Sequence, residues 1–121
     1  MEKILIIEDE SFIRDNLLEL LEMEGFDAIG ADNGKIGIEL AKEYQPNLIL
    51  CDVMMPELDG YGVFEQIRGN HVTANIPFLF LTASADTGNL QKIKDLGMTE
   101  YILKPFNVEN FLETIRNYLT D

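Results

Sequence analysis

The chain has 121 residues, 46% hydrophobic and 26% charged, with 22 acidic side chains against 9 basic ones and a formal net charge of −13. That length suits one domain of common size, which buries roughly two thirds of the surface its unfolded chain exposes and needs no disulfide or structural zinc. The acidity argues against a surface that grips nucleic acid or an anionic membrane; one cysteine excludes an internal disulfide, and one histidine excludes the usual His/Cys zinc site.

In chain order, Ile4–Ile7 is a continuous apolar run, as expected of a strand buried on both faces. Ile13, Leu17, Leu20 and Leu21 then mark one stripe of a helix. Phe26–Ala31 predicts a weaker strand, and Ile38 and Ala41 anchor a second helix. Gly37 inside that helix carries a cost of about 1 kcal/mol against alanine. Leu48–Cys51 predicts the third strand, and Val63, Phe64 and Ile67 the third helix, with Asp59 as N-cap. Phe78–Leu81 is the fourth strand. Leu90, Ile93 and Leu96 mark the fourth helix, closed by Gly97. Tyr101–Leu103 is a short fifth strand, followed by a helix over Val108–Leu119 that Asn107 caps.

This βα alternation predicts a parallel sheet with helices on both faces. No apolar run reaches the roughly 20 residues of a membrane span, and the start MEKILIIEDE lacks the features of a signal peptide, so a cytoplasmic protein is expected. No repeat or linker is visible, and residues 1–121 are read as a single domain with no output domain.

Ligands of open α/β sheets bind beyond the carboxyl ends of the strands. The first strand runs into Glu8-Asp9-Glu10, the third into Asp52, the fourth into Thr82-Ala83-Ser84 and the fifth into Lys104-Pro105. With the flavodoxin-like order 2-1-3-4-5, Glu8, Asp9 and Asp52 converge, and Thr82 and Lys104 flank them. Carboxylates that close repel each other unless a cation intervenes, and Mg²⁺ prefers such oxygen ligands. Asp52 is then placed to attack phosphorus, and the metal and Lys104 to stabilise the phosphoryl oxygens. The plain alternatives are that Asp9 caps the first helix and that Lys104 is solvated.

The segments ILIIEDE, ILCDVMMPELDGYGVFEQIR, PFLFLTA and YILKPF resemble the response-regulator receiver family, the CheY-like superfamily, and together cover nearly the whole chain. The resemblance implies a (βα)5 three-layer sandwich. It implies Asp52 as phosphoacceptor, with Mg²⁺ (or Mn²⁺) held by Asp9, Asp52 and the backbone carbonyl of Met54, and by Glu8 through water. Thr82 and Lys104 contact the phosphoryl group, Tyr101 is the aromatic switch, and Pro105 follows a cis peptide bond, which only about 5–6% of X–Pro bonds do. The donor is a histidine kinase or histidine phosphotransfer protein, and the recipient a downstream protein or a second receiver copy. The protein is expected to assist its own phosphorylation and dephosphorylation without being an enzyme.

Met98-Thr99-Glu100 departs from the usual small and acidic residues before the switch position, which leaves dimerisation open. Bulky Met54 is expected to slow attack of water on the phosphoaspartate. Cys51 is read as a buried structural thiol and His71 as an exposed loop residue. Phe12 and Phe106 lie near the acidic edge, where docking and core packing compete as explanations. Three rival functions share parts of this pattern. A phosphatase of the haloacid-dehalogenase kind needs a second Asp where Met54 stands. A flavodoxin-like carrier needs a phosphate loop where Glu8-Asp9-Glu10-Ser11-Phe12 is acidic. An unphosphorylated interaction module does not need the set Asp9, Asp52, Thr82 and Lys104.

Overall fold

The computed structural model describes residues 2–83, 87–98, 101–104 and 106–119. Strands and helices alternate as β1 (Lys3–Ile7), α1 (Ser11–Met23), β2 (Asp27–Ala31), α2 (Gly34–Tyr44), β3 (Leu48–Asp52), α3 (Gly60–Gly69), β4 (Phe78–Ala83), α4 (Thr87–Asp95), β5 (Ile102–Lys104) and α5 (Val108–Leu119). The five strands form one parallel sheet in the order β2-β1-β3-β4-β5. The parallel sheet is what the βα alternation predicts, and its strand order is the flavodoxin-like one that goes with the family resemblance.

The continuous apolar runs of β1, β3 and β4 follow from burial on both faces. Along β1, Leu5 and Ile7 join one core and Ile4 and Ile6 the other; β3 and β4 divide in the same way. The first core packs Leu5, Ile7, Ile49, Cys51, Phe78 and Phe80 against Ile38 and Ala41 of α2, Val63 and Ile67 of α3 and Ile93 of α4. The second packs Ile4, Ile6, Leu48, Leu50, Leu79 and Leu81 against Leu17 and Leu21 of α1 and Phe111, Leu112 and Ile115 of α5. Helices therefore cover both faces, in three layers. Fully burying one such Leu or Ile stabilises the fold by about 1.5–3 kcal/mol.

β1, β3 and β4 run one or two residues beyond the apolar runs, and the other two strands each lose a residue assigned to them from sequence. The predicted second strand loses Phe26, whose N–H donates to the Leu21 carbonyl (3.0 Å) while Gly25 N–H donates to Glu22 (3.0 Å). These two bonds are a Schellman closure of α1, and they claim the residue that sequence assigned to β2. The predicted fifth strand shifts by one, so that Tyr101 lies just outside β5 and Lys104 pairs with Ala83. Gly97 ends α4 with the same kind of closure, Met98 N–H to the Ile93 carbonyl at 3.4 Å. Asp59 and Asn107 accept from Gly62 (2.9 Å) and Asn110 (3.2 Å), as N-caps should.

Gly37 is more than a weak point of α2. A Cβ there would lie 2.5 Å from Cδ1 of Ile7, so α2 sits against β1 only because no side chain intervenes. Residue Ser84, the pair Thr99-Glu100 and Pro105 with its expected cis bond lie outside the described residues.

Candidate phosphoacceptor site

The parallel order brings the carboxyl ends of β1 and β3 side by side, with Ile7 paired to Cys51. Glu8 and Asp9 leave the first strand where Asp52 ends the third. One carboxylate oxygen from each of Glu8, Asp9 and Asp52 lies within 4.8 Å of the others. Glu8 is completely buried and Asp52 is 7% exposed, so neither charge is dispersed by water. Lys104 reaches in from β5, with Nζ 2.8 Å from Glu8 Oε1 and 3.1 Å from Asp52 Oδ1. The second oxygen of Glu8 accepts the Glu10 N–H at 3.2 Å.

The electrostatics follow from crowding. Burial, then the neighbouring Glu8 charge, raise the pKa of Asp52 from 3.8 to about 6, although Lys104 pulls it down. Burial and the hydrogen bond with Glu8 raise Asp9 as well. Burial works against the charge on Lys104, but its hydrogen bond to Glu8 and the Asp52 charge outweigh that, and its pKa rises. One ammonium thus only partly offsets three carboxylates, and the remaining deficit suits a divalent cation. Asp9 does not cap α1: the N-cap is Glu10, with no side-chain hydrogen bond to the helix.

Thr82 lies one residue beyond Leu81, the partner of Asp52 on β4. It is 1% exposed, and its hydroxyl has no hydrogen-bond partner among the described residues. A buried hydroxyl left alone costs free energy, about 1–3 kcal/mol, unless a ligand or a second conformation satisfies it. The β3–α3 turn is fixed from behind. Gly60 N–H donates to the Val53 carbonyl (2.9 Å), and a Cβ on Gly60 would lie 2.4 Å from the carbonyl oxygen of Asp52. The bare Gly60 backbone lets α3 start against the Asp52 backbone.

Near the site acids in the chain, Phe12 and Met54 are each 66% exposed. Phe106 is half-buried and stacks on Phe111 with ring centroids 5.0 Å apart. Tyr101 is half-buried against the first core. Cys51 is fully buried, and burial pushes its thiol pKa well up, as a structural cysteine requires. His71 is exposed.

The sequence profile of the response regulator receiver domain matches residues 4–116. The polar-differentiation response regulator DivK of Brucella anthropi is 35% identical over 118 residues, which span 98% of this chain and 96% of DivK. The DNA-binding dual master transcriptional regulator RpaA of Synechocystis is 40% identical over 119 residues, 98% of this chain but 49% of RpaA. Likewise, this chain spans 48% of the probable transcriptional regulator ycf27 of Porphyridium aerugineum, about half the length of that relative. Among solved structures, the Vibrio cholerae chemotaxis protein CheY4 superposes with a TM-score of 0.89 at 28% identity, over 98% of this chain and 99% of that one. The receiver domain of a Pseudomonas aeruginosa sensor histidine kinase, with magnesium coordinated in its active-site cleft, superposes with a TM-score of 0.90 at 25% identity, over 99% of this chain and 98% of that one.

The chain belongs to the response regulator receiver domain family of two-component signalling. Members of this family are phosphoacceptor switches that interact with histidine kinases or phosphotransfer proteins. No helix among the described residues is long and apolar enough to cross a membrane.

Proposed function

We propose that residues 1–121 act as one receiver unit in which Asp52 accepts a phosphoryl group from a phosphohistidine, with Mg²⁺ as cofactor. The observation that carries this reading is the convergence of Glu8, Asp9 and Asp52 within 4.8 Å, with Lys104 bonded to two of them; the buried Thr82 hydroxyl, without a partner among the described residues, supports it. Asp9, Asp52 and the Met54 carbonyl would hold the ion directly and Glu8 through water; Mn²⁺ satisfies the same oxygen ligands. When bound, the cation supplies positive charge for the crowded carboxylates and the incoming phosphoryl oxygens.

The residues act as follows. An oxygen of Asp52 attacks phosphorus, an acyl phosphate forms, and the P–N bond to the donor imidazole breaks, with a proton ending on the leaving imidazole. At neutral pH Asp52 is mainly the nucleophilic anion, because its pKa of about 6 lies below the medium. Lys104 already lies beside both buried acids and is poised to follow the new negative charge onto a phosphoryl oxygen. Thr82 donates its hydroxyl to a second oxygen, and Tyr101 follows it inward. The surface of α4, β5 and α5 then changes for a protein target or a second copy.

The protein turns over no external substrate; at the phosphatase acid position it carries Met54, which has no proton to give. The direct test is incubation with Mg²⁺ and acetyl phosphate, followed by intact mass. One added phosphoryl group that Asp52→Ala abolishes is the expected result. No adduct from acetyl phosphate or from any cognate kinase would overturn the reading.

A further inference from the structure

We propose that Arg14 is a positioning residue for the acidic cleft, acting on the peptide that joins Glu8 to Asp9. The inference rests on the reading of Glu8 and Asp9 as the acids that hold a divalent cation. Arg14 lies in α1, where its own N–H donates to the Glu10 carbonyl at 2.9 Å. Its guanidinium turns back over the β1–α1 corner, and Nη1 donates to the backbone carbonyl of Glu8 at 2.9 Å. That carbonyl belongs to the planar Glu8–Asp9 peptide, so holding it fixes the direction in which Asp9 leaves the chain. The corner lacks the usual restraint, since α1 has no side-chain N-cap. On the other side, Glu8 N–H donates to Ala31 (3.0 Å). Arg14 and β2 therefore grip the Glu8 backbone from two sides.

A slot in the neighbouring strand receives the side chain. A Cβ on Gly30 would lie 3.2 Å from Cδ and 3.3 Å from Cγ of Arg14, and 3.0 Å from Cδ1 of Leu18. The arginine stem thus lies against bare β2 backbone, and any side chain at position 30 would press on it. Lys104 spends its charge on carboxylate oxygens that a metal or phosphoryl group must share. Arg14 instead brings a fixed positive charge to the corner while leaving those oxygens free. It orders the ligands without being one, a role in which substitutions commonly weaken metal binding about 10–100-fold.

The test compares the parent chain with Arg14→Met, Arg14→Lys and Gly30→Ala. Mg²⁺ affinity is read from the amide resonances of Glu8, Asp9 and Asp52, alongside the melting temperature and the acetyl phosphate reaction rate across Mg²⁺ concentrations. Arg14→Met keeps the apolar stem and is expected to weaken Mg²⁺ binding about tenfold, with the phosphorylation rate recovering at saturating Mg²⁺. Arg14→Lys restores part of the affinity, and Gly30→Ala weakens it in the same direction by displacing the stem. Parent-like Mg²⁺ affinity in Arg14→Met would overturn the inference, as would a rate loss that persists at saturating Mg²⁺ or that Arg14→Lys leaves unrelieved. If Arg14→Met does not fold, Gly30→Ala decides, and unchanged affinity there overturns the inference. Failure of the parent to bind Mg²⁺ at all would strike the phosphoacceptor reading instead.

Discussion

Asp52 titrates near 6 because folding removes it from water and sets it beside Glu8. Its folded pKa lies above its unfolded one, so the folded, metal-free state holds that proton more tightly. The resulting stabilisation is complete below about pH 4 and is lost as pH rises through about 6. Asp9 shifts in the same direction and adds to the trend. The melting temperature of the metal-free chain should therefore fall between pH 4 and 7, and Mg²⁺ should restore it at pH 7. Asp52→Asn removes the buried charge; thermal melts at pH 7.5 should show it more stable than the metal-free parent by on the order of 2 kcal/mol, with the gain vanishing near pH 4. Gly60→Ala forces a methyl group onto the Asp52 carbonyl, 2.4 Å away, and should cost roughly 2–4 kcal/mol in a urea titration. Met54, two residues beyond Asp52, is an exposed apolar side chain. Met54→Asn should shorten the lifetime of the phosphorylated chain, measured by loss of the mass adduct after the donor is removed.

At the scale of elements, Tyr61 of α3 ties α4 to α3. Tyr61 Oη donates to Asn89 Oδ1 at 2.8 Å, Lys92 Nζ lies 4.4 Å from the centre of the Tyr61 ring, and that ring packs on Phe80 at 5.4 Å. Tyr61 follows Gly60 in the chain, so this tie starts one residue from the backbone contact behind Asp52. Tyr61→Phe keeps the ring and loses the hydroxyl; it should cost about 1 kcal/mol and raise hydrogen exchange along α4 more than along α1. Nothing in the sequence announces this tie, since its members lie 28 residues apart and each is unremarkable alone. The same limit explains the other features that sequence reading passed over. Buried runs and helical stripes repeat locally, so the elements and their order were legible. The gathering of Glu8, Asp9, Asp52 and Lys104 was legible too, because strand ends of a parallel sheet share an edge. Space is not local: Gly37 and Gly60 look like helix weaknesses or turn residues until the neighbouring Ile7 or Asp52 carbonyl is seen. Phe26 misled because an apolar residue closing a Schellman cap reads like the start of a strand.

For the molecule as a whole, a net charge of −13 on 121 residues means that folding compresses mutually repelling charge. The three site acids are the densest part of that problem, and Lys104 relieves it only in part. Raising NaCl from 0.05 to about 0.5 M should raise the melting temperature of the metal-free chain, by screening exposed acids within a Debye length of about 10 Å or less. The same field draws cations and basic partner surfaces toward the molecule, so phosphorylation by a protein donor should slow with salt more steeply than phosphorylation by acetyl phosphate.

β5 is three residues long and lies at the edge of the sheet, hydrogen-bonded only through its pairing with β4 among the described strands. The cation that bridges Glu8 and Asp52 is therefore carried by the most weakly anchored strand. Fraying of those few residues would withdraw Lys104 from both acids and free neighbouring Tyr101 in a single event. The site is a clasp: its acidic half is built into the middle of the sheet, and its basic half is carried by a short strand at the rim.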